Sequence, residues 1–166
     1  MNDFLPINKK EMLERGWQDV DFVFVTGDGY VDHPSFGVAI LTRLLEKEGY
    51  RVAVLSQPNW KNDGDFTQFG RPRLAFMVTS GNIDSMVAHY TAAKRLRHDD
   101  AYTAGGIAGK RPDRAVIVFQ ILLKGYILVA LLLLAALKRH FADLLIMIIG
   151  MTQSDRVFLL IQKLIC

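Results

Sequence analysis

Two short polar segments hold the residues best suited to chemistry in this sequence. They are Gly27, Asp28, Asp32 and His33 in the first segment, and Ser80, Gly81 and Asn82 in the second. Carboxylates, an imidazole, a hydroxyl and an amide can hydrogen-bond a polar ligand, and glycine lets a backbone approach it closely. Each segment follows a run rich in β-branched and aromatic residues. The chemistry these residues indicate is binding of a polar small molecule.

Simpler structural roles compete for the same residues. Asp28 fits a turn, and Ser80 and Asn82 fit a turn followed by a helix N-cap. Asp32 could cap the next helix while His33 hydrogen-bonds locally. The residue types alone leave both interpretations open.

Catalytic and metal-binding patterns are missing from the sequence. It has no Ser/His/Asp arrangement, no phosphate-binding glycine loop and no cluster at metal-ligand spacing. Its single cysteine, Cys166, cannot form an internal disulfide or hold an iron–sulfur cluster. We therefore expect no catalytic residue, no metal ligand and no cofactor held by this chain alone.

The elements that must position the polar segments alternate between strand and helix. Strands are predicted at 21–26, 51–55, 73–78 and 115–119, helices at 8–15, 34–48 and 63–69, and further buried elements around 126–134 and 143–149. A strand–helix–strand unit forces a parallel sheet with a right-handed crossover. The expected fold class is therefore α/β, an open doubly wound parallel sheet of the flavodoxin or Rossmann type, which binds ligands beyond the carboxyl ends of its strands.

Three features of the second half are less regular. His89 and Tyr90 fall in an apolar helical segment and are expected to pack. The polar loop 98–114 is too long for a mere connection, which indicates function or mobility. The densest basic stretch has six members and is expected to form a solvated face, with no nucleic-acid partner. These residues are Lys94, Arg95, Arg97, Lys110, Arg111 and Arg114.

Composition indicates one folded domain. Of 166 residues, 51% are hydrophobic and 22% charged, with a net charge of +3, which is typical of a globular protein. We expect one α/β domain over 1–166, with an N-terminal extension at 1–20 and a divergent apolar part at 116–166. The charged first twenty residues contain no apolar run, so a cytoplasmic location is expected. The apolar run 116–137 is long enough to cross a bilayer, but Lys124 near its centre favours buried strands.

Several long blocks resemble the start of the YgiQ-type radical SAM proteins. They lie at 22–37, 49–52, 70–74, 79–94, 99–102 and 109–115, within a resemblance that covers roughly 4–118. The family continues with a Gly-Gly-Ile-Glu-Ala-Ser-type turn, but this chain has a leucine- and alanine-rich segment at 131–139 instead.

The resemblance implies an N-terminal domain similar to cobalamin-binding domains, followed by a radical SAM barrel. The barrel's C-x-x-x-C-x-x-C motif would hold the [4Fe–4S] cluster and S-adenosylmethionine, and this chain lacks it. The expected function is thus an accessory domain that is not catalytic alone, with the barrel as its partner. A small-molecule or nucleotide-binding module, and a membrane-associated protein anchored through 116–165, remain as alternatives.

Cobalamin itself is not expected to bind. The base-off cobalamin signature is Asp-x-His-x-x-Gly, whereas Asp32 and His33 are adjacent here and Gly37 lies four residues beyond the histidine. A local structural role for His33 is the expectation.

Overall fold

Ten elements follow one another along the part of the chain that a computed structural model describes, residues 4–123 and the backbone of 147–149. The strands are β1 (Phe22–Thr26), β2 (Val52–Ser56), β3 (Ala75–Thr79) and β4 (Met147–Ile149). The α-helices are α1 (Lys9–Glu14), α2 (Gly37–Lys47), α3 (Ser85–His89) and α4 (Ala115–Leu123). Short 3₁₀ turns lie at Gly64–Thr67 and Ala104–Gly106.

The sheet has the strand order β2-β1-β3-β4. β1 pairs in parallel with both β2 and β3, and Thr26 at its end lies opposite Ser56 and Thr79. The loops after these three strands therefore start side by side at one edge. This confirms an α/β fold, but β4 runs antiparallel to β3, so the expectation of a wholly parallel sheet is wrong for that strand.

Both faces of the sheet are covered, which explains why β1 is buried throughout. Val23 and Val25 face a cluster that includes residues of α4. Phe22 and Phe24 face the opposite cluster, which includes Leu45 of α2. Strict alternation along the strand thus supplies two separate cores from one continuous apolar run.

The predicted strand at 115–119 is wrong, because these residues form the first part of helix α4. Ala115, Val116, Phe119 and Leu123 are buried whereas Ile117 and Ile121 are exposed, which is helical spacing. A continuous apolar run hides that spacing, since the exposed positions are also hydrophobic. The predicted buried element at 126–134 lies outside the described residues.

The starts of α1 and α2 differ in their capping hydrogen bonds. The Asn8 side chain accepts a hydrogen bond from the Glu11 amide at 2.9 Å, as its predicted N-cap role requires. α2 begins at Gly37, after the expected start at residue 34, and its N-cap Phe36 offers no side-chain hydrogen bond.

Within the described ranges, no helix is long and apolar enough to span a membrane.

The helical assignment of α4 can be tested by truncating two of its side chains. Phe119 is fully buried with its ring 5.7 Å from that of Phe66, so Phe119→Ala should lower the free energy of unfolding by about 3–5 kcal/mol. Ile121→Ala should change it by less than about 0.5 kcal/mol, since that side chain is exposed. Urea unfolding measures both; equal losses would indicate a strand, in which residues 119 and 121 share a face.

Candidate functional site

The two polar segments singled out in the sequence begin at matching threonines. Thr26 and Thr79 are register partners at the ends of β1 and β3. The Thr26 hydroxyl accepts a hydrogen bond from the Asp28 amide, and the Thr79 hydroxyl accepts one from the Gly81 amide, each at 3.1 Å. Both loops therefore turn in the same way, immediately after the strand.

The glycines in these loops make room for the chain itself. A Cβ at Gly27 would collide with the carbonyl oxygen of Ser80, and a Cβ at Gly81 would collide with the Asp28 carboxylate. Gly81 also has a φ of +117°, which side-chain-bearing residues rarely adopt. The close approach that the sequence suggested for a ligand is made here by the neighbouring loop.

Asp28 is the carboxylate at the centre of this contact. One of its oxygens accepts a hydrogen bond from the Asn82 amide at 2.6 Å, and the other lies 2.8 Å from Arg111 Nη1. Burial raises the pKa of Asp28 to about 6, although the Asn82 hydrogen bond and the Arg111 charge lower it, and the nearby Asp100 charge adds to the increase. Asp28 is thus more easily protonated than an ordinary aspartate.

Arg111, in the long loop 98–114, lies over the ends of β1 and β3, where it contacts Asp28 and Ser80. Its side chain is fully buried, and its guanidinium is bidentate to Asp100 with distances of 2.8–3.0 Å. Nη1 also donates to the Ser80 carbonyl at 3.0 Å. The expectation that Arg111 lies on a solvated face is therefore wrong, whereas its neighbour Lys110 is exposed as expected.

The long loop 98–114 is fixed on the sheet edge at further points. Gly29 donates its amide to the Tyr102 carbonyl at 2.8 Å. Gln57, after β2, donates through Nε2 to the Gly27 carbonyl and to the Thr103 hydroxyl. Arg111, Asp100 and Gln57 were not predicted as site residues from the sequence. The unusual length of the loop 98–114 pointed to Arg111 and Asp100, and no signal in the sequence pointed to Gln57.

Asp32 and His33 belong to a separate set of contacts. Asp32 forms an ion pair with Arg43 of α2 and does not cap the helix. His33 is exposed, and its Nδ1 accepts a hydrogen bond from the Ser35 amide at 3.1 Å, as the local role predicted. The structure therefore joins Gly27, Asp28, Ser80, Gly81 and Asn82 into one cluster and leaves these two residues outside it.

The cluster can hold two loops rigidly against the sheet, because one guanidinium neutralises part of the charge of two buried carboxylates. Across residues 4–123 and the short strand at 147–149, no group of three or more His, Cys, Asp or Glu side chains could hold a metal ion.

Comparison with known proteins gives consistent matches. The profile of the family described as radical SAM N-terminal matches residues 4–154. A UPF0313 protein of Clostridium botulinum strain 657 is 59% identical over 117 residues, which is 70% of this chain and 18% of the relative. A UPF0313 protein of Clostridium perfringens strain SM101 is 58% identical over 118 residues, 71% and 18% of the respective chains. The chain therefore spans about 18% of the length of these relatives, and no solved structure matches it.

Removing the buried guanidinium should destabilise the fold strongly. Arg111→Met keeps apolar volume but leaves Asp28 and Asp100 without their cation, so we expect a loss of about 3–5 kcal/mol in the free energy of unfolding. Lys110→Met, at the exposed neighbour, should change it by less than about 0.5 kcal/mol. Urea unfolding of both variants measures this; equal stability would show that the buried pairs do not hold the loop.

The raised pKa of Asp28 should make stability depend on pH. Because its folded value of about 6 exceeds the ordinary 3.8, the fold favours the protonated acid, so this stabilisation is complete below about pH 4 and is lost as the pH rises through 6. The free energy of unfolding relative to that of Asp28→Asn should fall by up to about 3 kcal/mol from pH 4 to pH 7. Asp99→Asn, at an exposed carboxylate, serves as control, and a flat difference for Asp28→Asn would contradict the assignment.

Proposed function

Because the chain belongs to the radical SAM N-terminal family, we propose that it is the accessory domain of a UPF0313-type radical SAM protein and is not catalytic by itself. In this proposal it is a scaffold, with a flavodoxin- or cobalamin-domain-like sheet, that packs against the catalytic barrel carried by the rest of the polypeptide. The relatives are several times longer than the matched segment, which leaves room for such a barrel.

One observation supports the scaffold role most directly. The chain's own side chains fill the edge of the sheet at the carboxyl ends of its strands. A nucleotide-binding sheet of this class keeps that edge open for its ligand. Here Arg111 is fully buried between Asp28 and Asp100. The same filling weighs against a small-molecule or nucleotide module that uses this edge.

The cluster chemistry that the family implies does not fit the residues of this chain. A [4Fe–4S] cluster that leaves one iron for S-adenosylmethionine needs three thiolates, and the sequence contains one cysteine. We therefore assign the cluster and S-adenosylmethionine to the remainder of the protein and derive no step through them.

A base-off corrinoid fits no better. A cobalt-ligating histidine normally has its second ring nitrogen held by a carboxylate or another hydrogen-bond acceptor. His33 Nδ1 instead accepts from the Ser35 amide, and Asp32 is engaged by Arg43. Asp32 therefore does not accept a hydrogen bond from the His33 ring, as a cobalt-ligating histidine would require. We propose that no corrinoid binds.

We also propose that the protein works in the cytoplasm, where cysteine thiols stay reduced. The relevant partner of this chain in the proposal is the barrel, not a membrane or a nucleic acid. The basic stretch around residues 94–114 does not form one continuous phosphate-binding surface, since Arg111 is buried and paired with Asp28 and Asp100.

Iron loading of two separately produced polypeptides tests which part of the protein holds the iron–sulfur cluster. After anaerobic incubation with iron and sulfide, the 166-residue chain should carry no stoichiometric iron, and Cys166→Ser should behave identically. The remainder of the clostridial relative, produced without its matching segment, should carry the cluster. Stoichiometric iron on the 166-residue chain would overturn the proposal.

Binding between these same two polypeptides tests the scaffold role. We expect a one-to-one complex by analytical ultracentrifugation, because the matching segments are about 59% identical. Failure to associate, together with saturable binding of a nucleotide by the 166-residue chain, would favour the binding-module alternative.

A further inference from the structure

A cleft of about 590 Å³ lies between α3 and residues 108–114 of the long loop. Its walls are largely apolar and include Trp60, Met86 and Pro112. A volume of this size is typical of sites for small organic molecules. Arg111 also lines it, so the cleft borders on the contact between the two strand-end loops.

A buried histidine lines this cleft. His89 is only 8% exposed, and its Nδ1 lies 2.7 Å from an oxygen of Asp113. Tyr90 donates its hydroxyl to the second Asp113 oxygen at 2.9 Å. Nε2 of His89 is buried as well, yet it has no hydrogen-bond partner within the part of the chain that is described.

The carboxylate decides which ring nitrogen carries the proton. The hydrogen bond with His89 lowers the pKa of Asp113, so Asp113 is ionised at neutral pH and can only accept hydrogen bonds. Nδ1 must therefore donate, and in the neutral ring Nε2 is left as an acceptor. A buried acceptor of this kind needs a donor, which a molecule bound in the cleft can supply.

The charged residues that line the cleft indicate the charge of the ligand that it would bind. Arg97, Arg111 and Arg114 line it together with Asp113. Arg111 is paired with Asp28 and Asp100, and Asp113 is already engaged by His89 and Tyr90. Arg97 is held there through Nε, which donates to the Val87 and Tyr90 carbonyls. The unengaged charge of the lining is therefore positive, which favours an anion.

We propose that this cleft binds a small organic anion that also carries a hydroxyl or amine donor. The donor would hydrogen-bond His89 Nε2, the anionic group would face Arg97 and Arg114, and an apolar body would pack on Trp60. This goes beyond the scaffold role and does not depend on it, because the proposed ligand contacts His89, Arg97, Arg114 and Trp60 and needs no contact with the barrel.

Nitrogen-detected NMR of the histidine rings in the 166-residue chain gives the first test. His89 should be protonated at Nδ1, whereas His33, whose Nδ1 accepts from Ser35, should be protonated at Nε2. On titration with 4-hydroxybenzoate, which has a hydroxyl donor and a carboxylate, the Nε2 signal of His89 should shift and that of His33 should not. An Nε2-protonated His89, or an Nε2 signal that stays unchanged, would overturn the proposal.

Calorimetric titrations distinguish the contribution of His89 to ligand binding from that of Arg114. His89→Phe should weaken 4-hydroxybenzoate about tenfold and leave benzoate, which lacks the donor, nearly unchanged. Arg114→Gln, at an exposed residue that should not affect folding, should weaken both acids about three- to tenfold but not p-cresol, which lacks the anion. His98→Phe, at an exposed histidine that does not line the cleft, is the control. Absence of saturable binding of 4-hydroxybenzoate, or equal affinities in all variants, would contradict the assignment.

Discussion

The guanidinium of Arg111 is the charge on which the arrangement of the loops depends. A buried cation must be paired and fully hydrogen-bonded, or its desolvation destabilises the fold. Asp100 supplies a bidentate partner, Asp28 a second carboxylate and Ser80 a carbonyl. Each of these partners then constrains its own loop. Gly27 and Gly81 are required because the loops after β1 and β3 approach each other too closely for a side chain.

The same constraint decides what the sheet edge can do. Parallel sheets place ligands at their carboxyl ends because loops diverge there and leave a crevice. In this chain the loop 98–114 returns over that edge and fills it through Arg111, with Gln57 joining the loop to the backbone of Gly27. The polar residues at this edge of the α/β sheet therefore hold loops together. The open cleft lies beside His89 and shares Arg111 with the closed edge.

The sequence predicts the strands well and the site only in part. Bulky β-branched runs place β1, β2 and β3 within two residues of their observed bounds, and Asn8 marks the start of α1. α4 is mistaken for a strand because its exposed positions are isoleucines, so its helical period is hidden. Arg111 is missed because its partners Asp28 and Ser80 are distant in sequence, and nothing local distinguishes a buried arginine from a solvated one.

Hydrogen exchange at two backbone amides tests the closed sheet edge most directly. The Gly29 amide donates to the Tyr102 carbonyl, and the Asn82 amide donates to the Asp28 carboxylate. If the edge is closed by Arg111, both amides should exchange only through opening events nearly as costly as global unfolding, and Arg111→Met should make both exchange much faster. Rapid exchange of both amides in the unchanged chain, slowed by adding a nucleotide, would show an open binding crevice and contradict the account.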